Sequence, residues 1–480
     1  MKTLSKYSSA ACLGLVVLAA CKDLDVPNLN SPDLGSFQTN PTRSQVLSVA
    51  TGLLLGTRTG IAPQNGYVSL LGILGRESYN FDPADPRFVT EMLLGPLDGG
   101  SPAFGGNLWA APYRNIYTAN LELAALEKVP LVNDAEKESI RGFTQTIQAL
   151  DYLKIISTRD SNGAPIPTST DPLAPPASIA SRDSVYAHIV RLLDSAAKHL
   201  DSATTLHGAS LTFPFELSPG FDGFTSTVTF RTVNRALMAR VQAYKGSFGC
   251  TACWDSLLTA VAGSFINAAP AGDLNLGVYY SYATLSGDEV NALFDPNARA
   301  IVTHPSLVAD AQLQVGGAKD DRVVRKIATL SAPKTAQGLS SQYQFVIYGS
   351  NTDPIPIIRN EELILLRAEA NIGKGGAADL AAAVADLDTI RVRSGKLPLY
   401  SGAVTQAALL DELLYNRRYS LMFEGGHRWI DARRYGRLGT LPQDATTTAT
   451  AKRFTKFPFP AFECDPRSPP PSGCGTQAGF

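Results

Sequence analysis

The chain has 480 residues, 44% of them hydrophobic, with 42 Lys and Arg set against 43 Asp and Glu for a net charge of −1. That length buries a large core as one domain or a few. The near-zero balance excludes nucleic acid as the main partner, since a phosphate backbone selects a basic face.

The N-terminus reads as a targeting segment over 1–20. Lys2 and Lys6 precede an apolar run, Ala10 to Ala20, too short to span a bilayer as a mature helix. Leu18-Ala19-Ala20-Cys21 resembles a bacterial lipobox, in which Cys21 is lipidated; the alternative is an ordinary signal peptide with an incidental cysteine. Lys22-Asp23-Leu24-Asp25 is similar to a surface-export signal of lipoproteins. Residues 21–40, with two prolines between Val26 and Leu34, read as an extended tether. Cys250, Cys253, Cys464 and Cys474 remain in the mature chain. In an oxidising compartment they are disulfide candidates, with three connectivities open. Cys250-x-x-Cys253 also admits a redox or half-zinc reading, but neither a βαβ pattern nor a second close pair accompanies it.

Helical periodicity then recurs along the chain. Val46, Val49, Ala50, Leu53 and Leu54 share a face, and Trp109, Tyr113, Ile116 and Asn120 form one stripe, with Trp109 in the core. Asn133-Asp-Ala-Glu136 has capping-box form and opens a helix carrying Ile140, Phe143, Ile147 and Leu150. Ser181 or Asp183 starts another. Further helices are expected over 232–246, 252–266, 360–373, 377–393, 404–424 and 427–437. Arg240-x2-Ala243-x2-Gly246 and Arg367-x2-Ala370-x2-Gly373 repeat one pattern. In each the small residue permits close contact and the glycine ends the helix in left-handed geometry, as in a degenerate tetratricopeptide-like repeat. Long loops are expected over 59–106, 160–180, 203–229, 268–358 and 438–480, with short strands at Thr225 to Thr229 and Gln342 to Tyr348.

Charged residues crowd the helices after residue 358. Arg359 and Glu362 lie one turn apart, with Glu369 two turns further on. Arg417 sits two turns before Glu424, and Glu424, Arg428 and Asp431 continue at i, i+4 and i+7. Those spacings let guanidinium meet carboxylate. The residues read as a structural ion-pair network rather than an acid/base pair, because the arginines hold the carboxylates ionised. No catalytic residue, metal ligand set or cofactor loop emerges: the five histidines form no ligand motif, and His188 and His199 are expected on an exposed face.

Several blocks together resemble the SusD/RagB family of outer-membrane nutrient-binding lipoproteins. They are Ile355-Pro-Ile-Ile-Arg-Asn-Glu-Glu-Leu-Ile-Leu-Leu-Arg-Ala-Glu-Ala370, then Leu387 to Gly395 and Arg417 to Gly436, then Phe457-Pro-Phe-Pro460. Asp388, Ser394, Ser420, Ala432 and an extra residue at Gly426 or His427 depart from the family pattern. A cysteine-bearing tail replaces the usual asparagine-rich ending. Trp109 to Asn120 and Ser181 to Tyr186 extend the similarity upstream.

The resemblance implies a mainly α fold: about four tetratricopeptide-like helix pairs, with a long-loop subdomain and a few short strands. The single domain would run 41–480, its scaffold mainly 41–58, 107–160, 181–267 and 359–437, its ligand region mainly 59–106 and 268–358. It implies a non-enzymatic, lipid-anchored protein of the cell outer membrane, facing the exterior. Such a protein binds a glycan or peptide-like nutrient and passes it to a TonB-dependent (SusC-like) transporter, with no cofactor and no nucleic acid. A surface glycan-degrading enzyme and a helical-repeat adaptor are the alternatives. Sugar rings stack their C–H faces on aromatics, so the expected site residues are exposed-loop aromatics: Tyr67, Tyr79, Phe81, Phe104, Tyr279, Tyr280 and Tyr282, with Asn80 and Asn107 reading hydroxyls.

Overall fold

The computed structural model describes residues 34–100, 104 and 108–480. The signal segment, Cys21, most of the tether and Asn107 lie outside them. Among the described residues, eleven helices of eight residues or more are α1 Arg43–Arg58, α2 Tyr67–Leu74, α3 Ala110–Leu126, α4 Asp134–Arg159, α5 Arg182–His207, α6 Thr227–Ser247, α7 Cys253–Ala262, α8 Asn360–Lys374, α9 Ala377–Arg393, α10 Gln406–Ser420 and α11 His427–Arg434. The main strands are β1 Ser78–Asn80, β2 Gly277–Tyr280, β3 Ile301–Thr303, β4 Ile327–Ala336, β5 Leu339–Phe345 and β6 Ile355–Arg359. The protein is mainly α, a tetratricopeptide-like scaffold with a loop-rich region and short two-stranded sheets.

Helices pack as pairs: α1 on α3, α4 on α5, α6 on α7 and α8 on α9, with α10 laid across α8 and α9. Local chemistry sets most starts. Asn133 caps α4 in a full capping box with Glu136, and Ser181 accepts from Ser184 N at 3.2 Å to start α5. Helix α4 is buried on nearly every side from Thr146 onward, so it is the central helix of its half. A buried polar bolt ties it to its neighbours: Asp151 accepts from Thr57 of α1 and from Asn115 of α3, both at 2.6 Å, and pairs with Lys154 at 2.7 Å. All members are partnered, the condition for a polar group in a core.

Several expectations change. The strand expected at Thr225 to Thr229 is the start of α6, because Ser226 and Thr229 form a capping box that outweighs the β-propensity of the threonines. Helix α7 stops at Ala262, and α10 stops at Ser420 where the chain turns through Phe423 and Gly426, both at positive φ. Gly426 is needed there: a Cβ on it would lie 2.3 Å from Leu71 Cβ. Gly246 and Gly373 are not left-handed stops; both lie inside their helices, and Gly375 takes the left-handed cap of α8. Instead both glycines face the Trp254 indole, where added Cβ atoms would come within 2.6 and 2.3 Å of the ring. The two similar hairpins therefore close on one shared tryptophan.

The presumed loops carry structure. Helix α2, buried from Val68 to Leu74, lies inside 59–106. Residues 268–358 supply strands that pair: β3 with β1 of 59–106 (Val302 opposite Tyr79), β2 with β6 (Tyr280 opposite Ile355), and a β4–β5 hairpin. The hairpin turns at Gln337-Gly338, both at positive φ, the geometry a two-residue loop needs. Cys250 is bonded to Cys253 and Cys464 to Cys474.

Candidate ligand-binding cleft

An open cleft of about 350 Å³ lies where β2 and β6 meet the end of the β4–β5 hairpin. Its walls are Asn275, Tyr279, Arg325, Val346, Asp353 and Pro354, and its floor is Lys326, Arg359, Glu361 and Glu424. Non-local pairing builds it: β2 brings Tyr279 opposite Pro356, and β6 runs straight into Arg359 and α8. Tyr279 is half-buried, with its hydroxyl donating to Asn275 O, which leaves a ring face at the opening. Asp353 is satisfied by Gly349 N and Ser350 Oγ, which hold its carboxyl below the usual range.

The floor belongs to the ion-pair network. Arg359 reaches Glu361 and, at 2.9 Å, Glu424; Lys326 lies 3.4 Å from Glu424 and donates to Ser420 O at 2.6 Å. Burial pushes the Lys326 ammonium down to about 8 against the opposing pull of Glu424.

The network continues behind the cleft. Arg240 grips Glu362 at 2.6 Å, Arg417 holds Asp431 at 2.7 Å, and Arg434 bridges Asp431 at 2.9 Å and Glu369. Burial alone would raise these carboxyls, but Arg240 holds Glu362 at about 2, and Arg417 with Arg434 holds Asp431 at about 2. Such groups stay ionised and are unsuited to general-acid work. Partners differ from those the spacing suggests. Arg359 pairs with Glu361 rather than Glu362, Arg417 with Asp431 rather than Glu424, and Arg428 with neither Glu424 nor Asp431.

The aromatics expected in exposed loops are mostly packed. Tyr79, Phe104, Tyr280 and Tyr282 are buried, as is Asn80, while Tyr67, Phe81 and Tyr279 are half-buried. Tyr79 stacks on Phe81 at 5.4 Å and leans on His304 at 4.8 Å; Phe104 meets Phe88 edge-on at 5.3 Å. Arg58 covers the Tyr282 ring at 5.3 Å. Tyr67 and Tyr280 line a separate internal chamber of about 50 Å³ with Lys154, Tyr244 and His427. Among the described residues His427 Nδ1 has no hydrogen-bond partner, and burial pushes its imidazole down to about 4. His188 is not on an open face: its ring sits 4.9 Å from Tyr152, and burial pushes it down to about 4. Of the expected residues that are described, only Tyr279 lines the open cleft. Asn275, Arg325, Lys326 and Asp353 carry no motif; their place inside 268–358 was the only signal for them. Among the described residues no group of three or more His, Cys, Asp or Glu is placed to hold a metal ion, and no helix is long and apolar enough to cross a membrane.

Residues 339–468, which run from β5 through the network to Ser468, match the model of the SusD family. Over that stretch the chain is similar to the SusD family. No curated protein matches the chain. SusD-like solved structures share the fold over nearly the whole length. A SusD homolog from Bacteroides thetaiotaomicron is 15% identical, with a TM-score of 0.68 over 92% of this chain and 99% of that one. A SusD-like carbohydrate-binding protein from Bacteroides fragilis is 15% identical, with a TM-score of 0.64 over 92% and 95%. A laminarin-binding SusD-like protein is 18% identical, with a TM-score of 0.59 over 92% and 100%. Identities this low speak for the fold and leave the ligand to the site itself.

Proposed function

We propose that this SusD-like protein binds a glycan in the cleft beside Tyr279 and passes it, without catalysis, to a TonB-dependent outer-membrane transporter. It would act from a lipid anchor at Cys21, facing the cell exterior, with 41–480 as one domain and 59–106 and 268–358 as its ligand region. One observation carries the reading: the segment that matches the family also forms the cleft floor, through Lys326's partner Glu424 and through Arg359 and Glu361. Beside that floor stand an aromatic ring face, an amide and a carboxylate, the set that stacks a sugar and reads its hydroxyls. Two structural relatives are named as binding laminarin or carbohydrate. Of the expected aromatics, Tyr279 is the one kept in this proposal.

The test is affinity electrophoresis of the mature chain through gels containing laminarin or other polysaccharides, with product analysis of the same mixtures. The expected result is retardation without turnover, weakened at least tenfold by Tyr279→Ala. Turnover that survives purification, or retardation indifferent to Tyr279→Ala, would overturn the reading. Co-purification of a transporter with the full chain tests the partner.

A further inference from the structure

Two leucines stand almost wholly in solvent, Leu131 at 87% exposure and Leu173 at 90%. Both sit on loops at one end of the scaffold, and Gln38 ties that end together. Its side-chain amide donates to Thr170 O at 2.9 Å, and its backbone carbonyl accepts from Lys128 Nζ at 2.7 Å. Leu173 is three residues beyond Thr170 and Leu131 three beyond Lys128, at most about 11 Å of backbone each. Leu131 takes a positive φ of 62°, a conformation that glycine or asparagine enters at lower cost. Leu173 N donates to Asp171 Oδ1 at 2.9 Å, and prolines at 172, 175 and 176 stiffen the turn that presents it. The charges beside them form no basic patch. Lys128 is committed to Gln38 O, Glu127 pairs with Arg141 at 2.6 Å, and Asp134 and Asp171 add negative charge.

The tether enters at this same end. Leu34–Thr39, the helical turn that carries Gln38, is the first helix among the described residues. Residues 22–33 separate it from Cys21, a span of about 45 Å at most. Helix α1 also starts here, where Arg43 meets Glu136. It ends about 22 Å away, where Arg58 holds Ser281 O and Asp288 close to Tyr279 in the chain.

We propose that this end of the protein rests on a lipid surface, with Leu131 and Leu173 dipping among zwitterionic headgroups and the Tyr279 cleft held away from the bilayer. The proposal rests on the lipid anchor at Cys21 proposed above, which brings this end to the membrane and keeps it there at high local concentration. An anchor on a tether leaves the protein free to turn, and a second, apolar contact sets its orientation.

Tryptophans introduced one at a time into the lipidated full chain test it, in phosphatidylcholine vesicles with brominated acyl chains. The three native tryptophans are buried. Flotation with the vesicles reads the anchor, and quenching reads the face. Leu131→Trp and Leu173→Trp are expected to have their added fluorescence quenched at least twofold, and equally so at high salt. Leu285→Trp and Val315→Trp, at exposed apolar positions on other loops, are expected to stay unquenched. Equal quenching at all four positions would overturn the proposal. So would unquenched tryptophans at 131 and 173 in a chain that floats, a result that would assign the two leucines to a protein partner and leave the anchor standing. A full chain that does not float would overturn the anchor and this proposal with it.

Discussion

Arg240 and Glu362 show what a single buried charge pair does in this scaffold. The guanidinium makes a bidentate grip at 2.8 and 2.6 Å and also donates to Ile357 O at 2.6 Å, so α6, β6 and α8 are fastened at one point. Replacing Glu362 with Gln leaves Arg240 buried without a counter-charge and is expected to cost about 3–5 kcal/mol in urea unfolding. Glu122 presents the opposite case. It is fully buried in α3, neither carboxylate oxygen has a hydrogen-bond partner among the described residues, and burial pushes its pKa up to about 9. The native state therefore keeps a proton that the unfolded chain releases near 4.5. Its contribution is complete below that value and is lost as pH rises toward 9. Glu122→Gln is expected to flatten the fall in unfolding free energy between pH 5 and 8.5; an unchanged slope would refute a protonated Glu122. The charged spacing was legible from sequence at this scale, but the partners were not, because β6 and the turn after α10 re-aim Arg359 and Arg417 across helices rather than along them.

At the scale of elements, the α6–α7 and α8–α9 hairpins depend on Trp254. Gly246 and Gly373 each leave room for its ring, and Trp254 is almost fully buried, so neither side can give way. Gly246→Ala and Gly373→Ala are each expected to destabilise by about 1–3 kcal/mol through overpacking. Trp254→Phe combined with Gly373→Ala should be less damaging than the sum of the two changes, because the smaller ring relieves the clash. A strictly additive double-mutant cycle by thermal or urea unfolding would show that the glycine acts through something other than that ring. The repeated Arg-x2-Ala-x2-Gly pattern was visible in the sequence. Its physical meaning was not, since the tryptophan that both glycines accommodate sits on a third helix.

At the scale of the whole molecule, the C-terminal segment binds distant parts of the chain together. Trp429 Nε1 donates to Phe454 O at 2.8 Å, Phe457 N to Thr158 O at 2.9 Å, and Phe459 N to Gly473 O at 2.8 Å. Residues 476–477 pair with 97–98, and Phe454, Phe457 and Phe459 are buried in the main core. A stretch expected only as a long loop with a cysteine-bearing ending therefore closes the structure. Removing 451–480 strips three aromatic side chains from the core, each worth about 1.5–3 kcal/mol of burial. The truncated chain is expected to lose its cooperative thermal transition by circular dichroism, whereas an unchanged transition would mean that the tail is only laid on the surface.

The sequence by itself determined most of the helices, several of their caps, the disulfide-capable cysteines and the resemblance to a family, because these rest on period, spacing and contacts between near neighbours in the chain. Helix α9 begins and ends where its pattern says. Only the tertiary structure decided which aromatic opens onto a cleft. Tyr279 and Tyr280 are adjacent in sequence, yet one lines an open cleft and the other is buried over Lys154. The pleat of β2 sends successive side chains to opposite faces, and a pairing with β6 some 75 residues away chooses which face is covered. The same distant folding left Arg428 outside the network that its spacing suggested and set it beside the buried Glu77 carboxyl.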